Sequence, residues 1–331
     1  MLITKPDYFD RFQCTASRCP DSCCKEWEVQ VDAAAAEHYR SLSGPLGDRL
    51  REVLREEDGE TVMTILDGRC PMWRSDGLCH IQAELGEAAL CKTCRDFPRL
   101  THDYGDFLEL QLELSCPEAA RSILTQKRIL TVATETEITP EAEYDQEAMA
   151  VLKATRETAL DLLFDPSHTV PESLALTLLY GYQAQNQLDG ADPQAFDAAS
   201  AFDGIREFLK TGSHGEMTDF FLSLELLTPE WKDLLQSPSP SVWSDHHRAL
   251  AGYLVQRYWL QAVSDYDLYC RVKFIIIACL LVKHTGGDIF RTAQLFSKEI
   301  ENNIDNVEAI LDAAYTHPAF TDDKLLGLLL K

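Results

Sequence analysis

The stretch QCTASRCPDSCC, residues 13–24, places four cysteines within twelve positions. With the spacing C-x4-C-x3-C-C, these are Cys14, Cys19, Cys23 and Cys24. Nine of the eleven cysteines in the chain lie between positions 14 and 116. The other two, Cys270 and Cys279, lie in an apolar stretch, where packed thiols are common. The cysteines therefore divide the chain into a cysteine-rich first part and a remainder in which they are sparse.

A second group of cysteines follows further along the first part: Cys70, Cys79, Cys91 and Cys94. The dipeptide Asp76-Gly77 readily adopts the positive φ angles of a tight reversal, which predicts that Cys70 and Cys79 lie on neighbouring strands. The spacing Cys91-x2-Cys94 lets one turn present both sulfurs to one metal. Cys116 follows at a predicted helix start, where the helix N-terminus favours a thiolate.

Three interpretations of this clustering compete. Structural disulfides need an oxidising compartment, and the N-terminal residues MLITKPDYFDRF contain no apolar segment of signal-peptide length. Isolated buried thiols would be spread along the chain, whereas nine cysteines cluster here within a third of it. The pattern therefore favours metal ligation by cysteine.

The number of thiols exceeds the needs of one metal centre, because structural zinc and a 4Fe–4S cluster each take four. We therefore expect two centres, or surplus thiols that either lie beside the metal ligands or act in catalysis. Adjacent side chains diverge in both extended and helical backbone. Cys23 and Cys24 are thus expected to serve different irons of a cluster, two separate centres, or one ligand and one packed thiol.

The sequence predicts a mainly α protein with a small cysteine-rich α+β metal-binding domain, residues 1–130, followed by an all-helical domain, residues 140–331. Alternating or β-rich patterns predict strands over WEVQV (27–31), TVMTIL (61–66) and LELQLEL (108–114). In the last of these, the leucines share one face and the polar residues the other. Ser115 and Glu118 have capping-box spacing and predict the start of a helix.

Helical periodicity dominates after the acidic stretch TETEITPEAEYDQE, residues 134–147. Breaks rich in proline and glycine separate the segments. The predicted helices cover residues 141–163, 172–188, 193–210, 214–226, 245–263, 266–283, 288–299, 305–315 and 321–330.

Charge and hydropathy restrict the partners. The formal net charge of −24 argues against nucleic acid as a partner and is compatible with a basic, lysine-bearing one. The longest apolar run, FIIIACLLV at residues 274–282, is too short for a bilayer, which needs about 20 residues. We therefore expect a buried helix there, no membrane association and a cytoplasmic protein.

Four segments resemble the flagellin lysine-N-methylase family and, more broadly, proteins with a CxxCxxCC-type zinc- or iron-chelating domain. These segments are YFDRFQCTASRCPDSCCKEWEVQVD (8–32), CPMWRSDGLCHI (70–81), CKTCRDFPR (91–99) and ELSCPEAAR (113–121). The resemblance covers about the first 125 residues well and extends more loosely over the remainder.

The resemblance implies methyl transfer from S-adenosylmethionine to lysine side chains of flagellin, by an enzyme that carries an iron–sulfur cluster. A 4Fe–4S cluster is favoured, with zinc as the alternative. By motif match, the metal ligands would be Cys14, Cys19, Cys23, Cys24, Cys70, Cys79, Cys91 and Cys94, with Cys116 as a further candidate.

The sequence identifies neither a catalytic base nor a methyl-donor pocket. A lysine ammonium must lose its proton before it can attack, yet no residue stands out as the base. The sequence contains no G-x-G-x-x-G loop after a strand, which argues against a doubly wound methyltransferase fold. The alternative from a different class is a non-catalytic zinc- or iron-chelating protein whose helical half is an interaction scaffold.

Overall fold

Helices dominate the structure, and two small sheets lie in its first part, in agreement with the predicted mainly α class. The computed structural model describes residues 1–25, 29–57, 59–128, 130–136, 142–205 and 209–331. The strands are β1 (Leu2–Pro6), β2 (Val29–Gln30), β3 (Leu54–Glu57), β4 (Glu60–Met63), β5 (Arg99–Asp103), β6 (Phe107–Leu112) and β7 (Thr131–Glu135).

The larger sheet has the order β5-β6-β1-β7. Strand β1 runs parallel to β6, with Ile3 opposite Leu108, and antiparallel to β7, with Ile3 opposite Thr134. The predicted strand over LELQLEL is confirmed as β6, but its polar face is also buried, because helices cover it. On that face, Glu109 makes a two-pronged ion pair with Arg156 at 2.7 and 2.8 Å.

The smaller sheet, β2-β4-β3, is antiparallel and belongs to a separate hydrophobic core. It confirms the strands predicted near 27–31 and 61–66, although residues 26–28 lie outside the described residues. This core contains Val29, Tyr39, Leu50 and Met72, together with the buried cysteines Cys70 and Cys91. The cysteines are thus part of the packing that holds this small unit together.

In the first part of the chain, short helices connect the strands. They are α1 (Ala33–Ser41), α2 (Gly44–Val53), α3 (His80–Leu85), α4 (Lys92–Asp96) and α5 (Pro117–Leu124). The capping box predicted at Ser115 is wrong. The N-cap of α5 is Cys116, because Pro117 occupies the first helical position, and the Ser115 hydroxyl instead donates to Glu113 at 2.5 Å.

From residue 142 onward, the regular elements of the described chain are helices. They are α6 (Gln146–Phe164), α7 (Val170–Leu188), α8 (Ala198–Ile205), α9 (His214–Leu222), α10 (Pro229–Gln236), α11 (Asp245–Tyr258), α12 (Leu268–Thr285), α13 (Ile289–Phe296), α14 (Ile304–Thr316) and α15 (Asp322–Leu330). Nine of these correspond to the nine predicted helical segments. Helix α10 was not predicted; its N-cap is Thr228, whose hydroxyl accepts from the Trp231 N–H.

Helix α12 is buried on all sides and forms the centre of the large core, which confirms the buried helix predicted for residues 274–282. Helices α7, α11, α13 and α14 surround it. No helix in the described ranges is both long enough and apolar enough to cross a membrane. The large core also includes Phe107 and Leu112, so that the four-stranded sheet packs directly on the helices.

We expect Gly286→Ala to lower the free energy of unfolding by about 3 kcal/mol. Gly286 ends α12 with φ 70° and ψ −147°, a backbone conformation that glycine adopts readily. An added Cβ would lie 1.6 Å from the Ser239 carbonyl oxygen. The matched control is Gly287→Ala, which shares a positive φ but meets open space and should cost about 1 kcal/mol. Equal costs in urea unfolding would contradict the role of the Ser239 contact.

Candidate functional site

The segment between Cys70 and Cys79 folds back on itself, as the Asp76-Gly77 turn predicts. Gly77 has φ 80°, and the Arg74 N–H donates to the Leu78 carbonyl at 2.9 Å. Beyond the turn, the His80 N–H donates to the Met72 carbonyl at 2.7 Å. The neighbouring strands predicted for Cys70 and Cys79 do not form within the described residues 59–128, since only an isolated bridge joins Trp73 to Cys79. The reversal nevertheless brings Cys70 and Cys79 close enough for their charges to interact.

The two cysteine groups of the sequence meet at their backbones. The Cys70 N–H donates to the Cys24 carbonyl at 2.7 Å, and Lys25 and Arg69 form a β-bridge next to this bond. Cys91 is the N-cap of α4, and Cys94 lies within the same short helix. The single turn from Cys91 to Cys94 therefore faces a site that the first group also reaches.

Mutual effects on ionisation show which thiols are neighbours. Burial, together with the charges of Cys79, Cys91 and Cys23, raises the pKa of Cys70 to about 11. Burial also raises the pKa of Cys79, to which Cys23 and Cys91 contribute. The Cys94 thiol hydrogen-bonds to Cys91, which raises the pKa of Cys94 and lowers that of Cys91 to about 7.

The neighbouring residues Cys23 and Cys24 have side chains in contact with each other. The chain bends at these two positions, which brings adjacent side chains together although regular backbone would separate them. The hydrogen bond between the Cys23 and Cys24 thiols raises the pKa of Cys23. Six thiols therefore lie in one region, from residues 23, 24, 70, 79, 91 and 94.

The three remaining candidate cysteines form another set. Burial raises the pKa of Cys116 to about 12, and the thiols that contribute to this shift are Cys19 and Cys14. Cys14 is exposed and its sulfur accepts from the Ala16 N–H at 3.4 Å, whereas Cys116 is buried at the start of α5. The structure thus divides the nine candidates into six and three, a division that their order in the sequence does not indicate. Cys270 and Cys279 lie in α12, as expected for packed thiols.

The donor set of the six thiols fits a thiolate-bound metal, because soft sulfur ligands select zinc and iron–sulfur clusters. The set is also large enough for one four-thiolate centre. Within the described part of the chain, no three His, Cys, Asp or Glu side chains already converge as ligands of one metal ion. The ligand assignment therefore stays a prediction.

A cavity of about 750 Å³ lies beside the six thiols. Cysteine-rich and helical parts both contribute to its walls, and its volume is in the range of small-molecule sites. From the first part come Ser22, Cys23, Lys25, Asp32, Glu60, Lys92, Asp96, Phe97, Arg99, Glu113 and Ser115, among others. From the helical part come Leu227, Thr228, Lys298 and Asn302. No local motif could reveal this cavity, because its walls come from segments that are distant in the sequence.

A π-helical turn, Ser297–Glu301, follows α13 and shapes one wall of the cavity. Such turns are frequent at functional sites. Lys298 of the turn and Asn302, the residue directly after the turn, both line the cavity. Glu299 is buried and accepts from the Leu227 N–H at 2.7 Å and from the Thr228 hydroxyl at 2.5 Å. The turn therefore forms one part of the cavity wall and, through Glu299, also holds the part formed by residues 227 and 228.

Behind this wall lies a buried charged network. The Arg257 Nε atom is 3.1 Å from Glu301, and Arg257 also donates to the Tyr253 hydroxyl at 2.7 Å. Tyr258 donates to Glu301 at 3.2 Å. Burial raises the pKa of Glu301, an effect that Arg257 opposes and Glu113 reinforces. Glu113, which lines the cavity, therefore belongs electrostatically to this network.

Comparison with known proteins finds relatives for part of the chain. The chain is 32% identical over 131 residues to the flagellar biosynthetic protein FliU of Salmonella muenchen, a match that covers 38% of this chain and 78% of that protein. It is 30% identical over 143 residues to a lysine-N-methylase of Salmonella typhimurium. A lysine-N-methylase of Salmonella choleraesuis is 29% identical over the same length. These two matches cover 41% of this chain but 36% of each relative. No protein-family model and no solved structure matches.

Proposed function

Because the chain belongs to the family of the flagellar biosynthetic protein FliU, we propose that it is a protein-lysine N-methyltransferase that acts on flagellin. The methyl donor would be S-adenosylmethionine. Two further relatives are named lysine-N-methylase, and the chain matches about a third of their length. The donor, the substrate and the bound metal are all parts of the proposal.

One observation carries the proposal: Cys23 lines a cavity of ligand size and lies close enough to Cys24, Cys70 and Cys79 for their charges to interact. A metal centre held by these thiols would adjoin the space in which small molecules bind. Because the cavity also has walls from the helical half, a ligand there would contact both parts of the protein.

Four of the six thiols at positions 23, 24, 70, 79, 91 and 94 would hold the metal, while Cys14, Cys19 and Cys116 would not be needed for it. An iron–sulfur cluster would supply iron next to the cavity, whereas zinc would supply a structural cross-link. Of the two, we favour the 4Fe–4S cluster.

Among the described residues, four acidic side chains line the cavity, together with four basic ones, Lys25, Lys92, Arg99 and Lys298. A sulfonium and a lysine ammonium both interact favourably with carboxylates and aromatic faces. The cavity offers the carboxylates of Asp32, Asp96 and Glu113 and the ring of Phe97. Backbone N–H groups of Lys92 and Ala35 donate to Asp32 and lower its pKa, which keeps this carboxylate charged at neutral pH.

The test is methylation of flagellin by the full chain. We expect anaerobically purified, metal-replete protein to add methyl groups to flagellin lysines when S-adenosylmethionine is present, as measured by mass spectrometry of flagellin peptides. Flagellin whose lysines have been acetylated beforehand is the matched control and should gain none. An unchanged mass for untreated flagellin from the same bacterium would refute the proposed activity.

Metal analysis separates the proposal from its alternative. Iron and acid-labile sulfide in a brown protein support the cluster. A colourless protein that contains zinc and leaves flagellin unchanged supports a non-catalytic chelating protein with a helical scaffold.

A further inference from the structure

The carboxylate of Asp21 joins the cysteine-rich segment to the helical half. Its side chain is 2% exposed and accepts from Lys25 in its own segment at 2.6 Å. Three partners come from the helical half. Arg291 lies at 2.7 Å and Gln294 at 2.8 Å, both from α13, and Lys298 of the π-helical turn lies at 2.9 Å. A buried carboxylate is stable only with such partners.

The ionisation of Asp21 reflects this environment. Burial alone would raise its pKa, but hydrogen bonds from Lys25, Lys298 and Arg291 hold it well below its usual range. Asp21 is therefore charged at neutral pH and pairs with the three cations around it.

Residues on both sides of the Asp21 contacts, in the cysteine-rich segment and in the helical half, line the cavity. Asp21 is followed directly by Ser22 and Cys23, which line the cavity, and Lys298 lines it from the opposite part. Gln294 also donates to the Ser115 carbonyl at 3.0 Å, and Ser115 is another lining residue. A shift of the segment before Cys23 would therefore move a cavity wall and a candidate metal ligand together.

We propose that Asp21 is a positioning residue that couples the six thiols to the cavity, so that metal binding by the thiols and ligand binding in the cavity strengthen each other. The coupling is reciprocal, because each ligand must change the affinity of the other by the same factor. The identity of the cavity ligand, S-adenosylmethionine, rests on the proposed function. The positioning role itself rests on the contacts of Asp21.

The first experiment measures S-adenosylmethionine binding by calorimetry to the metal-replete and the metal-depleted full chain. In wild-type protein, metal removal should weaken binding about tenfold. In Asp21→Asn, the metal-replete form should already bind about tenfold more weakly, and metal removal should have little further effect. Asp161→Asn is the matched control, because Asp161 is exposed, pairs with Arg128 and does not line the cavity. It should behave as wild type.

The second experiment needs no ligand. Hydrogen exchange should become faster in residues 14–25 and 289–301 together in metal-replete Asp21→Asn, but not in Asp161→Asn. Arg291→Gln removes one partner and keeps the carboxylate, so it should give a smaller change in the same two segments if Asp21→Asn does not fold. Asp21→Glu keeps the negative charge. It should therefore recover part of the affinity for S-adenosylmethionine and part of the protection from hydrogen exchange.

The outcomes are distinct. Unchanged exchange in both segments of Asp21→Asn or Arg291→Gln would overturn the positioning role, as would donor affinity that responds to metal equally in wild type and Asp21→Asn. If wild-type protein does not bind S-adenosylmethionine in any metal state, the proposed function fails and the coupling to a donor fails with it. Hydrogen exchange then still decides whether Asp21 positions the segment.

Discussion

Replacement of both Cys91 and Cys94 by serine should lower the metal affinity of the chain more than 100-fold, so that the purified protein contains only background metal. Both thiols belong to the six-thiol group, and their sulfurs lie within hydrogen-bond distance of each other. Because Cys91 is buried in the small core, we also expect loss of metal to destabilise the cysteine-rich unit. Metal and sulfide per chain are the measurement.

Two controls accompany this prediction. Cys279→Ala changes a fully buried thiol of α12 and should leave the metal content unchanged. Cys116→Ser tests the division into six and three, since Cys116 neighbours Cys19 and Cys14. Full metal in Cys116→Ser supports the six-thiol site. Full metal in the Cys91→Ser/Cys94→Ser variant would instead assign the centre to other thiols, either Cys23, Cys24, Cys70 and Cys79 or the set of Cys14, Cys19 and Cys116.

Arg257→Met should lower the free energy of unfolding by about 3–5 kcal/mol, the largest stability effect that we expect from a single substitution. The Glu301 side chain is fully buried, and Arg257 is the cation that balances it at 3.1 Å. Without this cation, Glu301 would lose its ion-pair partner, while the charge of Glu113 would still oppose its ionisation. Equilibrium unfolding in urea measures the loss.

The double variant Arg257→Met/Glu301→Gln removes both charges and should recover much of this loss, because replacing a whole buried pair costs less than breaking it. Arg128→Met breaks the exposed pair with Asp161 and should cost about 0–1 kcal/mol. A similar small cost for Arg257→Met would show that the network contributes little to stability.

Local sequence signals predicted those features whose causes are local. The Asp76-Gly77 turn, the burial of residues 274–282 and the helical periodicity after residue 146 each depend on neighbouring residues, and the structure contains all three. The capping prediction at Ser115 failed because Pro117 moves the helix start by one residue. Helix α10 was missed because it is short and lies between segments rich in turn residues.

The arrangement of the site could not be predicted, because it depends on long-range contacts. The bond from the Cys70 N–H to the Cys24 carbonyl joins segments that no local pattern connects. The link between Asp21 and α13 spans 270 residues in the sequence, and an isolated aspartate between cysteines gives no sign of its partners. The sequence thus predicted the cysteines as candidate ligands, and the fold determined which of them are neighbours.

The position of β1 has a consequence for synthesis on the ribosome. Leu2–Pro6 lies between β6 and β7, so that its partners are Phe107–Glu109 on one side and Thr131–Glu135 on the other. A growing chain therefore carries its first strand with unpaired backbone groups until more than a hundred further residues have been translated. Folding of the larger sheet is consequently a late event, and an emerging chain presents an open strand edge to which chaperones can bind.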